Sequence, residues 1–342
     1  MATNPLKIGG LTIDPPILLA PMAGYTTPPF RNICRKFGSG LSFTEMVPVE
    51  GIRRRLPQTM VYLDSLPDER PLGAHVYGTN PKSFAKAAKI IESLGRFDLI
   101  DINCGCPVRK IAGRGAGVAL MREPRQIGDI LRATVESTSL PVTVKTRTGL
   151  SSARPNLSEV AEVIERNGAS AITIHARFGT QRHSGPVNLE ILKQVKAELS
   201  IPVIGNGGIK DGEQALEMTT FTSVDGIMIG QGAIGNPWIF RRIRCALNGE
   251  EYQIPSIDER KQAIAEHLYG LYHLMKTKNE LRKHPSKNVE KVTCEAFRGH
   301  LKKYLKGLGG IKDLQVNLTQ LQTIEEVIEA VWQILDSDSE PA

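Results

Sequence analysis

The feature that most constrains this chain is a rhythm. Short β-rich runs recur eight times along it, near residues 17–20, 41–44, 73–77, 98–103, 142–146, 171–175, 203–205 and 226–229. Segments with helical spacing lie between them, for example 81–94, 123–136, 157–167, 189–197 and 212–219. Strands joined through helices run parallel, so this alternation implies a parallel sheet. Eight repeats in about 230 residues suit a closed (β/α)8 TIM barrel better than an open doubly wound sheet. No GxGxxG follows an early strand, so a Rossmann dinucleotide site has no local support. The 342 residues leave room for an appendage. We expect the barrel over 1–250 and a smaller all-helical domain over 251–342, with helices near 258–274, 289–305 and 323–335.

A barrel of this kind makes a prediction that the sequence itself can test, because its chemistry belongs at the C-terminal ends of the strands. Polar and glycine-rich residues do gather there. Ala20 to Gly24 follow strand 1, Glu45 follows strand 2, and strand 3 carries His75. Strand 4 ends at Asn103 and leads to Cys106, strand 5 delivers Lys145 and Arg147, and strand 6 delivers His175 and Arg177. The glycine turns Asn206, Gly207, Gly208 and Gly230, Gln231, Gly232 follow strands 7 and 8. Glycine lets backbone N–H groups approach an anion, and loops 7 and 8 of barrels often hold phosphate.

Several of these residues allow two readings. Cys106 is either a small thiol packed in a Gly-Pro turn or a reactive group beyond a strand end. Lys145 lies within a strand that should be mostly buried and therefore needs a partner. An electron-rich cofactor ring would supply one, and so would a carboxylate such as Glu45. His175 fits a hydrogen-bonded core histidine as well as a site residue.

Charge placement adds a partner class. The net charge is +7, and residues 276–306 alone hold ten Lys and Arg against three Glu. A local basic field of that size attracts a polyanion, although a solvated helical face would look the same. No apolar run approaches the roughly 20 residues that span a bilayer, so no membrane association is expected. The N-terminal residues lack a signal-peptide core, and five cysteines without a framework fit the cytoplasm. Cys104 and Cys106 have one residue between them and no second Cys/His pair nearby, so we expect no metal site.

Six motifs in order resemble the tRNA-dihydrouridine synthases, most closely their bacterial B-type branch. They are PMAGYTTPPFR at 21–31, DINCGCP at 101–107, GRGAGVALM at 113–121, VKTRTG at 144–149, PVIGNG at 202–207 and MIGQGAIGNPW at 228–238. The resemblance implies a barrel binding FMN at its mouth, NADPH as reductant, and a tRNA uridine as substrate. It implies hydride transfer from reduced flavin to C6 and a proton from Cys106 to C5. It places Pro21, Met22 and Ala23 beside the flavin ring, with His75 and Asn103 also in the cofactor site and Lys145 near the N1/O2 edge. Asn206, Gly207 and Gly208 form one phosphate loop, and Gly230 with Gln231 the other. His175 and Arg177 stand near flavin and uracil, Arg177 on the substrate side. The helical domain grips tRNA, with Lys302 and Lys303, and also His300 and Tyr304, as RNA-facing residues; Tyr304 is equally a core candidate. A monomer is expected.

The chain also departs from the family pattern. His75 stands for a usual Gln, Gly208 for an Asp, and Gln231 for an Arg, which leaves backbone amides to hold a phosphate. Ala176 and Phe178 replace Gly and Thr, and Asn188 replaces an aromatic. Two other functions are open at this level. One is a small-molecule flavin reductase on the same barrel, and the other is a tRNA-binding protein that has lost activity.

Overall fold

The computed structural model describes residues 4–281, 285–306 and 320–337. Arg282 and Lys283 of the basic run and the acidic end at 338–342 lie outside the described residues. Eight parallel strands form the barrel: β1 (Ile17–Leu19), β2 (Ser42–Phe43), β3 (Leu72–Tyr77), β4 (Leu99–Asn103), β5 (Val142–Arg147), β6 (Ala171–His175), β7 (Val203–Asn206) and β8 (Gly226–Ile229). Each pairs with its neighbours in sequence, and β8 returns to β1. A parallel bridge between Leu18 and Leu41 closes the ring, with Leu19 N–H donating to Leu41 O at 2.9 Å. All eight expected runs are therefore strands. A short strand, Val47–Pro48, also pairs with β3.

The period of two along each strand divides its side chains between two cores. Leu18, Phe43, Leu99, Ala171, Ile204 and Met228 cluster inside the barrel. Leu6, Ile8 and Ile13 join them from an antiparallel hairpin, Leu6–Ile8 with Leu11–Ile13. That hairpin meets the starts of the strands, where Leu6 lies against Gly226, and so plugs the N-terminal end. Higher up the interior turns polar, which is where the site begins. Outward-facing residues such as Ile100, Ile102, Val142 and Val144 pack under the helices instead.

The helix Pro81–Ser93 shows why these segments form. Asn80 caps it by accepting from Lys82 N–H at 2.9 Å, Pro81 sits in the first turn, and Phe84, Ala87, Ala88 and Ile91 make one buried stripe. A helix named α1 here (Pro28–Lys36) follows β1. Three more lie beyond the barrel: α2 (Ile257–Glu280), α3 (Val289–Tyr304) and α4 (Ile324–Ser337). Ser256 caps α2, whose Ala263, Ile264, His267, Leu268 and Leu271 form its buried face. These helices have their own core around Phe297, Leu301, Val327 and Val331. They dock on α1, where Gly270 lets α2 approach Pro29 closely.

The RNA-facing expectation fails for His300, and Tyr304 takes its core alternative, each being only 2% exposed. Helical spacing puts them on the same face as Thr293 and Phe297, and that face turns inward. Lys302 and Lys303 fall on the opposite, solvent side.

Candidate active site

The strand ends enclose a cavity of about 360 Å3. Its walls include Cys106 and every residue expected to hold a cofactor: Pro21, Met22 and Ala23 after β1, His75 on β3, Asn103 on β4, Lys145 on β5, His175 on β6, and both glycine turns. Arg177 lines it too. Lys302 and Lys303 do not.

The cysteine is placed by a network of backbone bonds. Asn103 ends β4, and its Oδ1 accepts from Gly105 N–H at 3.0 Å and Cys106 N–H at 2.9 Å. That local loop forms because an Asn side chain can mimic a backbone turn. Arg147, 2% exposed, donates through Nε to Gly105 O at 2.8 Å and through Nη1 to Phe178 O at 3.1 Å. From below, Val118 N–H donates to Cys106 O at 3.1 Å. Gly117 makes that approach possible, since it adopts φ +62° and a Cβ there would lie 2.6 Å from the same oxygen. The thiol is half-buried. Burial pushes its pKa up, against a backbone hydrogen bond at Val108 and the charges of Arg147 and Lys145, so the sulfur keeps its proton at neutral pH.

Within the protein Lys145 pairs with an amide and not with the Glu45 carboxylate. Its Nζ donates to Asn206 Oδ1 at 2.9 Å, and Asn206 in turn donates to Met228 O at 2.6 Å. Glu45 is engaged elsewhere, accepting from Gly24 N–H at 2.6 Å and from Lys278 Nζ of α2 at 3.4 Å. Burial, then repulsion from Arg147, lowers the Lys145 pKa to about 8, which leaves it mostly cationic at pH 7. His175 is held neutral, by burial first and then by Lys145, Arg147 and Arg177. Arg177 Nη1 lies 3.2 Å from His175 Nε2. A guanidinium only donates, so Nε2 accepts and the ring hydrogen is on Nδ1.

Among the described residues no carboxylate lines the cavity, whereas Lys145, Arg147, Arg177 and Lys210 do. An anion is therefore favoured inside it. Gly207 and Gly208 have φ of +109° and +80°, and a Cβ on Gly207 would lie 2.6 Å from His175 Cδ2. That backbone is open only to glycine, and it fits a phosphate-bearing ligand. Pro21, Met22, Ala23 and Met228 supply an apolar wall for a flat ring. Gln231 lines the cavity where an Arg is usual, and Lys210 brings a cation to the same cavity.

Tyr25, Met46, His183 and Lys210 also line the cavity and were not singled out from sequence. All four follow strand ends, so the rule that located Cys106 reaches them as well. The ring of His183 stacks on His175 with centroids 5.9 Å apart. Asn188, where an aromatic is usual, caps the next helix by accepting from Ile191 N–H at 3.1 Å.

Comparison with known proteins gives this arrangement a context. A family model described as dihydrouridine synthase matches residues 18–331. The tRNA-dihydrouridine synthase B of Pasteurella multocida is 35% identical over 304 residues, which is 89% of this chain and 87% of that one. The tRNA-dihydrouridine synthase B of Pseudomonas aeruginosa is 32% identical over 329 residues, 96% and 95% of the two chains. Among solved structures, 6-hydroxypseudooxynicotine amine oxidase from Pseudomonas geniculata superposes with a TM-score of 0.57 at 12% identity, covering 78% of this chain and 52% of that one. That last likeness is one of fold alone.

Proposed function

Since the chain belongs to the dihydrouridine synthase family, we propose that it reduces the C5–C6 bond of a D-loop uridine in tRNA. The observation that carries this is a cationic cavity, lined by no carboxylate among the described residues, with the Cys106 thiol at its rim. Its donor set suits FMN: glycine amides and Lys210 for the phosphate, an apolar wall for the ring, and Lys145 for its electron-rich edge. Held by these residues, FMN would supply hydride chemistry, with NADPH as the source of the hydride and C6 of the uracil as its destination.

The protein's own part is to bind, orient and protonate. Cys106 gives its thiol proton to C5, and the electron pair of the S–H bond stays on sulfur. Asn103 and Arg147 fix where that sulfur points. His175, neutral and hydrogen-bonded to Arg177, adds no charge beside the ring. The target base has to leave its stack to enter the cavity, so the mouth receives a flipped nucleotide. The helices beyond residue 250, with Lys302 and Lys303 exposed, form the RNA-gripping domain. Among the described residues no helix is long and apolar enough to cross a membrane, and the protein acts as a monomer in the cytoplasm.

The test is a pair of measurements on the purified protein. Wild type should show flavin absorbance and form dihydrouridine in unmodified tRNA, read by mass spectrometry. Cys106→Ala should keep the flavin and lose most of the product. A colourless wild type would exclude the flavin chemistry, and full turnover by Cys106→Ala would reject the assigned proton donor.

A further inference from the structure

One polar row inside the barrel takes no part in the chemistry above. It lies just beneath the cavity. The sheet register sets His75 on β3 beside Asp101 on β4, and Asp101 beside Thr143 on β5. His75 Nδ1 lies 2.6 Å from Asp101 Oδ2, and the Thr143 hydroxyl donates to Asp101 Oδ1 at 2.7 Å. The three residues are 2%, 0% and 3% exposed. Both oxygens of the carboxylate are thus engaged, and one of them fixes a tautomer. A carboxylate accepts, so Nδ1 carries the ring hydrogen. Among the described residues Asp101 is the imidazole's only hydrogen-bond partner. Nε2 is therefore the nitrogen that His75, as part of the cavity wall, offers to a ligand.

The ring of strands indicates what meets it. In the observed order β3 stands across the barrel from β7, and the glycine turns follow β7 and β8. A ligand with its anion in those turns reaches toward β3, β4 and β5 with its other end. His75 waits there with Asn103 and Lys145 beside it, and an apolar ring end would leave the His75 Nε2 without a partner. A ring bearing an imide, O=C–NH–C=O, would not. An imidazole protonated at Nδ1 presents a lone pair at Nε2, and the imide N–H is the donor that matches it.

We propose that Asp101 is a positioning residue, which sets His75 to accept the imide N–H of the ring bound in this cavity through Nε2. The proposal rests on the functional reading above. Flavin and uracil both carry an imide, so the test has one arm for each.

In the flavin arm, FMN and its N3-methyl analogue are titrated into the apoprotein. In the uracil arm, uridine monophosphate and its N3-methyl analogue are titrated into the protein as isolated. Wild type should prefer the parent compound by about tenfold in one arm, because methylation leaves a buried acceptor unpaired. Which arm shows it identifies the ring. Asp101→Asn keeps the imidazole and its bulk but releases the tautomer, so the preference should drop below about threefold. His75→Ala should abolish it, and His75→Gln, which can accept, should retain most of it. Thr143→Val removes the hydroxyl that holds Asp101, should lose part of the preference, and replaces Asp101→Asn if that variant fails to fold. Equal affinity of wild type for parent and methylated ligands in both arms overturns the proposal. So does an Asp101→Asn protein that discriminates as wild type does, since steric exclusion of the methyl group would then suffice. An apoprotein that takes up no flavin defeats the functional reading instead, and the uracil arm then decides the inference alone.

Discussion

Replacing Arg31 by Met should cost this protein about 3–5 kcal/mol, the usual penalty for removing one member of a buried ion pair. Arg31 is 1% exposed and Glu69 3% exposed. The guanidinium engages both carboxylate oxygens, through Nε to Oε1 and through Nη2 to Oε2 at 2.9 Å. It also donates to Thr26 O at 2.9 Å and to Asp64 O at 2.9 Å. In Arg31→Met the Glu69 carboxylate keeps, among the described residues, only Leu66 N–H, at 3.1 Å, and two carbonyls lose their donor. Urea unfolding followed by circular dichroism should show the midpoint falling by about 1 M or more, taking a slope near 3 kcal/mol/M. A second substitution, Glu69→Leu, removes the stranded charge and should recover about 1–2 kcal/mol. It should not restore wild type, because the Thr26 and Asp64 carbonyls stay unpaired. The consequence reaches the site: the Thr26 hydroxyl accepts from Met22 N–H at 2.9 Å, and Met22 lines the cavity. A single variant that loses less than about 1 kcal/mol, or a double variant no more stable than the single, would refute the ion-pair reasoning.

Three other expectations follow from named contacts. Gly117→Ala introduces a Cβ 2.6 Å from Cys106 O at φ +62°, and should cost about 1–3 kcal/mol; unchanged denaturation would remove the need for glycine behind the cysteine. His267 and His300 are buried against Phe30, with His267 Nε2 and His300 Nδ1 unpartnered. Burial lowers the pKa of His267 well below the ordinary value and that of His300 to about 3. Below about pH 6.5 the unfolded chain therefore takes up protons that the native state refuses. Stability should fall on acidification by about 1.4 kcal/mol per pH unit for each histidine, and His267→Phe should flatten that slope; a flat profile between pH 6.5 and 5 contradicts it. Lys302→Gln with Lys303→Gln should weaken tRNA binding and make log K against log salt shallower by up to about one for each lost phosphate contact. An unchanged slope would put the RNA elsewhere.

Much of the fold was legible in the primary structure because its signals are local. Alternation along 98–103 identifies a strand wherever that strand ends up, and a strand end followed by Asn103 and Cys106 marks a rim without knowledge of its neighbours. For that reason all eight strands are found in place, and the residues singled out at their ends line one cavity. The hairpin Leu6–Ile8 with Leu11–Ile13 is different, since its strands are too short for periodicity to speak and only the open barrel end explains them.

What the sequence determined by itself was therefore the identity and order of the elements, and which end of each carries chemistry. Partners were decided by tertiary structure alone. That Lys145 meets Asn206 rather than Glu45, that Glu45 reaches Lys278 across 233 positions, and that Asp101 aims His75 are contacts between elements far apart in the chain. The inward turn of His300 and Tyr304 belongs with them, because a helix has several faces and only its neighbours choose the buried one. Local pattern fixes which way a side chain points from its own backbone, and closure of the barrel and docking of the helices fix what it finds there.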